Sequence, residues 1–93
     1  MININKISNI LANIDIEGFI EIGAPEDEYI SEATVIQKKI DQLTYNQLSY
    51  EIILNIVLGI WKDKFNLSAS DMKIRQNFFE SVAREIHKNI VKN

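Results

Sequence analysis

From Leu48 to Phe65 the chain reads LSYEIILNIVLGIWKDKF. Its apolar residues Leu48, Ile52, Ile53, Ile56, Val57, Ile60 and Trp61 recur at the three- and four-residue steps of one helical side, the broadest apolar face in the chain. The pattern predicts a helix at the centre of the core. Thr44 followed by Gln47 is a capping box suited to open this helix, and Asn66 is suited to close it in the left-handed conformation just beyond Phe65. The apolar part, Ile52 to Trp61, is about half the ~20 residues needed to cross a bilayer and is broken by Asn55, so it reads as a core helix.

Other helices are legible on either side. Ile4, Ile7, Ile10, Leu11 and Ile14 form one stripe, predicting a helix from about Asn3 to Ile14. Asn3, Asn5 and Asn9 are mediocre helix formers, so packing must hold it. A second helix is expected from Ser31, as N-cap, to about Leu43, with Ile30 stapled on Val35, Ala33, Ile36, Ile40 and Leu43 inward and Lys38 and Lys39 outward. After a turn at Leu67 to Ser70, a fourth helix capped by Ser68 or Ser70 follows the spacing Met72, Arg75, Phe79, Val82, Ile86, Ile90. Phe78 lies off that stripe and reads either as a wider buried face or as a partner contact. Four helices with mostly short turns predict an all-α, four-helix antiparallel bundle. A long ordered acidic loop joins helices one and two, and residues 1–93 form a single domain.

Composition narrows what such a domain can do. An apolar fraction of 46% with 25% charged residues is that of a chain that folds. It contains no cysteine, which excludes disulfides, thiolate metal sites and a cysteine nucleophile, and fits a cytoplasmic location. The N-terminal stretch lacks the apolar run and cleavage site of a signal peptide. The single histidine, His87, reads as a surface or capping residue near a helix end. There is no nucleophile elbow, no phosphate-cradling glycine pattern and no calcium-loop spacing among the carboxylates. No enzymatic activity, no cofactor and no metal are therefore expected.

Charge is distributed unevenly. Residues 7 to 37 hold seven acids (Asp15, Glu17, Glu21, Glu26, Asp27, Glu28, Glu32) and no Lys or Arg, while the rest holds six acids against ten bases. Such a field repels phosphates, which argues against direct nucleic-acid binding. Lys73, Arg75, Arg84 and Lys88 form a basic stripe on the fourth helix, but Asp71, Glu80 and Glu85 interleave with it, the pattern of a solvated face. An acidic surface steers association with a basic protein. Glu17, Phe19, Glu21, Glu26, Asp27, Glu28, Tyr29 and Glu32 are accordingly the candidate partner-binding residues, with Phe19 and Tyr29 as aromatic anchors. The alternative is that both rings fold inward to close one end of the bundle.

Gly23, Ala24, Pro25, Asp27, Glu28, Tyr29, Glu32 and Ala33, preceded by Asp15, Gly18 and Phe19, carry a resemblance. At this motif the chain resembles a family of small bacterial helical proteins classed as a domain of unknown function. Some of its members are immunity proteins of contact-dependent growth inhibition and related polymorphic toxin systems. The family pattern has Trp-Asp-Pro where this chain has Ile14, Asp15 and Ile16. The resemblance implies a cytoplasmic immunity protein that neutralises a cognate toxin domain, expected to be a basic nuclease, without touching nucleic acid or membrane. A second reading is a structural or regulatory helical interaction module, self-associating through exposed apolar surface.

Overall fold

The computed structural model describes residues 2–91, which fold into five α-helices and no strand. In chain order these are α1 (Ile4–Ile14), α2 (Ile30–Asp41), α3 (Tyr50–Phe65), α4 (Ala69–Ile74) and α5 (Gln76–Val91), with a 3₁₀ turn at Tyr45–Gln47. The four longer helices enclose one core: α3 packs on α2 and α5, and α1 closes the ring by packing on the same two.

Local signals explain most boundaries. The Asn3 side chain accepts from the Lys6 N–H at 2.9 Å and opens α1. The helix then buries Ile7, Ile10 and Leu11 and ends where Asp15 turns left-handed at φ 55°. At the other end of the chain's strongest helix, Asn66 takes φ 51° and its N–H bonds the Lys62 carbonyl, so α3 stops after Phe65 as its sequence predicts.

Three boundaries depart from expectation. α2 starts at Ile30, two residues earlier than a Ser31 cap would give: Tyr29 occupies the N-cap position and makes no side-chain cap bond. Ile30 is thus the first helical residue and is exposed, as is Val35, so the expected staple buries neither. The Thr44–Gln47 capping box forms, but it opens only the 3₁₀ turn; Ser49, accepting from the Ile52 N–H at 3.2 Å, caps α3 itself. Finally, the expected fourth helix is two helices broken at Arg75.

The break coincides with a local exchange of hydrogen-bond partners. In an unbroken helix the Arg75 N–H would bond the Asp71 carbonyl. Here that carbonyl accepts instead from Arg75 Nη1 at 3.1 Å, while the Arg75 N–H turns to the Met72 carbonyl at 3.2 Å. The Arg75 carbonyl then accepts from the Phe78 and Phe79 N–H groups and starts α5. Ser68 caps the short α4 in a capping box with Asp71.

The core is led by fully buried Trp61, Tyr29 and Phe79 with Ile7, Leu11, Ile36, Ile40, Ile53 and Ile86. Three positions read as core or possible core lie outside it: Ile22, an apolar residue of the segment after α1 expected to bury, is 82% exposed, Ile52 is 40% exposed on α3 and Phe78 is 46% exposed on α5. α3 carries apolar residues on more sides than its neighbours cover.

Candidate functional site

The acidic segment between α1 and α2 is folded around two of its own side chains. Asp15, held at the end of α1 by its left-handed backbone, accepts from the Ile20 N–H at 3.1 Å and from the Glu21 N–H at 3.0 Å. Its Oδ1 also accepts from the Tyr29 hydroxyl at 2.6 Å, and that hydroxyl accepts in turn from the Glu17 N–H at 3.1 Å. One carboxylate and one phenol therefore satisfy three backbone donors that helix and sheet would otherwise pair. Gly18 (φ 73°) and Gly23 (φ 107°) supply the left-handed turns that let the chain wrap around them.

Glu17 ties the segment to the helices. Its Oε2 accepts from Trp61 Nε1 at 2.8 Å and from Arg75 Nε at 2.8 Å, and its Oε1 accepts from Arg75 Nη2 at 2.9 Å. The pair is a two-pronged guanidinium–carboxylate contact, with the Glu17 side chain only 8% exposed. The buried indole of α3 thereby finds the partner its N–H requires. Arg75 stands between α4 and α5, so one carboxylate joins the segment, α3 and the helix break.

The electrostatics follow from these contacts. Burial pushes the Glu17 carboxyl up, but the Arg75 and Trp61 donors outweigh it and hold the group below its ordinary value. Asp15 behaves alike: desolvation raises it, and the Tyr29 hydroxyl with the Ile20 and Glu21 N–H groups brings it lower than usual. Tyr29 is pushed well up, first by burial and then by donating to Asp15, so its proton stays on. The hydrogen bond from its side chain to Glu17 raises Arg75.

Aromatic rings complete the inner face. Phe19 stacks on Tyr29 at 6.0 Å, Tyr29 lies 6.0 Å from Trp61, and Trp61 lies 5.4 Å from Phe65 and 6.3 Å from Phe79. The inward alternative thus describes both anchors: Tyr29 is 1% exposed and Phe19 is half-buried. Glu32 also faces inward at 4% exposure, where Lys64 pairs with it and with the Ser31 hydroxyl.

The eight sequence candidates therefore divide. Glu17, Phe19, Tyr29 and Glu32 are engaged within the chain, whereas Glu21, Glu26, Asp27 and Glu28 are exposed, and among the described residues none of these four carboxylates has an intrachain ion pair or hydrogen bond. Arg75 leaves the expected basic stripe for the interior. Its sequence position, a charge in register with Met72 and Phe79, is a signal for a buried counter-charge, and Glu17 is that partner. Among the described residues no group of three or more His, Asp or Glu side chains converges so as to hold a metal ion, and no helix is long and apolar enough to cross a membrane.

No family model, no curated protein and no solved structure matches the chain.

Proposed function

We propose that the chain is a non-enzymatic cytoplasmic immunity protein that binds and neutralises a cognate toxin domain, a basic nuclease of a contact-dependent growth inhibition or related polymorphic toxin system. In this reading an antiparallel four-helix scaffold displays the acidic loop. The observation that carries it is the row Glu21, Glu26, Asp27 and Glu28: four exposed carboxylates without an intrachain partner among the described residues, on a segment whose Glu17, Ile20 and Glu21 N–H groups are held by Asp15 and Tyr29. A fixed field of one sign speeds encounter with a basic surface, and little ordering entropy is lost when it docks. The resemblance carried by Gly23 to Tyr29 supports the same class. Glu17 and Glu32, engaged inside, act as scaffold, and the partner-binding role passes to the outer row.

The test is charge reversal of the outer row, Glu21→Lys, Glu26→Lys, Asp27→Lys and Glu28→Lys together. Protection of cells expressing the toxin domain should be lost while the helical circular dichroism is retained, and for the unmodified chain the association rate should fall steeply with added salt. Full protection by the folded, charge-reversed protein would sink the reading.

A further inference from the structure

Between α2 and α3 runs an open groove of about 610 Å³. Val35, Ile52, Ile56 and Ile60 give it an apolar floor, and Val35 and Ile52 are 38% and 40% exposed. Gly59 sits in this floor, in the interior of a sixteen-residue helix, where glycine is a destabilising choice relative to alanine. The fold does not require it there: a Cβ built on Gly59 meets nothing within 4 Å. A missing side chain that the chain itself does not need is consistent with close approach by something else.

The rim says what. Lys64, at the end of α3, is neutralised by Glu32 at the start of α2, so the uncompensated charge at that end of the groove is Asp63. At the other end stands Lys39, seven residues along α2 from Glu32 and so about 10 Å further on. Neither the Asp63 nor the Lys39 side chain has an ion pair or hydrogen bond among the described residues. A two-fold axis lying in the interface across the middle of the groove, near Gly59, would set a second copy end-for-end against the first. Asp63 of each copy would then face Lys39 of the other, twice, with the apolar floors face to face and the Gly59 positions letting the helices approach. That is the self-complementarity a two-fold interface demands.

We propose that this groove is a symmetric self-association surface whose occupant is a second copy of the chain. The proposal does not depend on the toxin-binding reading, since it uses none of the outer carboxylates. Sedimentation equilibrium over a dilution series tests it on the full chain. The unmodified protein should show a dimer that dissociates on dilution, and Gly59→Arg, which projects into open space and leaves the fold intact by circular dichroism, should be monomeric. Lys39→Asp and Asp63→Lys should each weaken association at least tenfold, by placing like charges opposite one another. The double variant carrying both should recover it, because the swapped charges again face opposite ones. A monomer at every concentration, a dimer untouched by Gly59→Arg, or a double variant as weak as its parents would each overturn the proposal. So would a monomer that instead buries the groove against the toxin domain.

Discussion

The carboxylates of the acidic segment and its flank fall into two sets that share composition and differ in everything else. Asp15 and Glu17 collect donors: three N–H or O–H groups converge on Asp15, and an indole with a guanidinium converges on Glu17. Glu21, Glu26, Asp27 and Glu28 point away and collect none. The difference shows that local charge density does not reveal what a charge is for. A carboxylate at a helix end with unpaired backbone donors nearby becomes architecture, whereas the same group one turn further along the loop is left to water and to whatever arrives.

The sharpest way to break this division is Glu17→Ala. Removing it leaves the Arg75 guanidinium and the Trp61 N–H without their partner at a mostly buried position. The expected loss is ~3 kcal/mol, at the low end for a broken buried pair because Arg75 keeps some solvent access. The midpoint of urea unfolding measures it. Glu21→Ala, made beside it, should cost no more than ~0.5 kcal/mol. Equal effects would erase the distinction between the two sets.

Tyr29→Phe asks the same question of the neutral member. The ring stays, with its contacts to Phe19 and Trp61, while Asp15 loses one donor and the Glu17 N–H loses its acceptor. A loss of ~1–2 kcal/mol in urea unfolding is expected, together with faster amide exchange at Glu17. Unchanged exchange there would mean that the phenol merely fills space.

How far the two sets could be told apart beforehand depended on the kind of signal each residue carries. The helical stripes of α1, α3 and α5 and the Asn66 cap are local and periodic, and they are readable from spacing alone. The break at Arg75 is not, because the Arg75 side chain that bonds the Asp71 carbonyl there is also held by a carboxylate fifty-eight residues away. No glycine or proline marks it. Thr44 and Gln47 form their box as a local rule predicts, yet what the box opens is decided just beyond it by Ser49, a competing cap. In sequence, Tyr29 beside three acids is equally suited to water or core; the position of Asp15 at the end of α1, accepting from its hydroxyl, settles it inward. Ile52 and Ile56 were in perfect register for burial, but periodicity reports which side of a helix is apolar, not how much of it the neighbouring helices cover.

Acid titration separates the sets without mutation. Asp15 and Glu17 both have folded-state values below their ordinary ones, so the unfolded chain binds more protons than the folded one as pH drops below the usual carboxylate range. The stability they contribute is therefore full at neutral pH, begins to fall near the ordinary carboxylate values and is lost as pH passes through their lowered folded ones. The loss should be smaller than that of Glu17→Ala, because a protonated Glu17 can still accept from Trp61. Tyr29 runs the other way: its raised value means stability is full below about pH 10, the ordinary phenol value, and declines above it. In Glu17→Ala the acid slope of the urea midpoint should flatten. An acid slope identical to that of the unmodified chain would place the titrating groups elsewhere.

The smallest effect is expected from neutralising the outer set: Glu21→Gln, Glu26→Gln, Asp27→Asn and Glu28→Gln together. Among the described residues these four groups give up no intrachain partner, so no ion pair or hydrogen bond there is lost. What remains is their mutual repulsion, three of them being consecutive in sequence, and at exposed positions each such contribution is a few tenths of a kcal/mol at most. The variant should therefore be as stable as the unmodified chain or slightly more so, by about 0.5 kcal/mol, with the gap closing as added salt screens the repulsion in the unmodified chain. A marked destabilisation would mean that the outer carboxylates are bound to something within the chain after all. A stable variant that had lost its partner would leave the outer row with recognition as its remaining role.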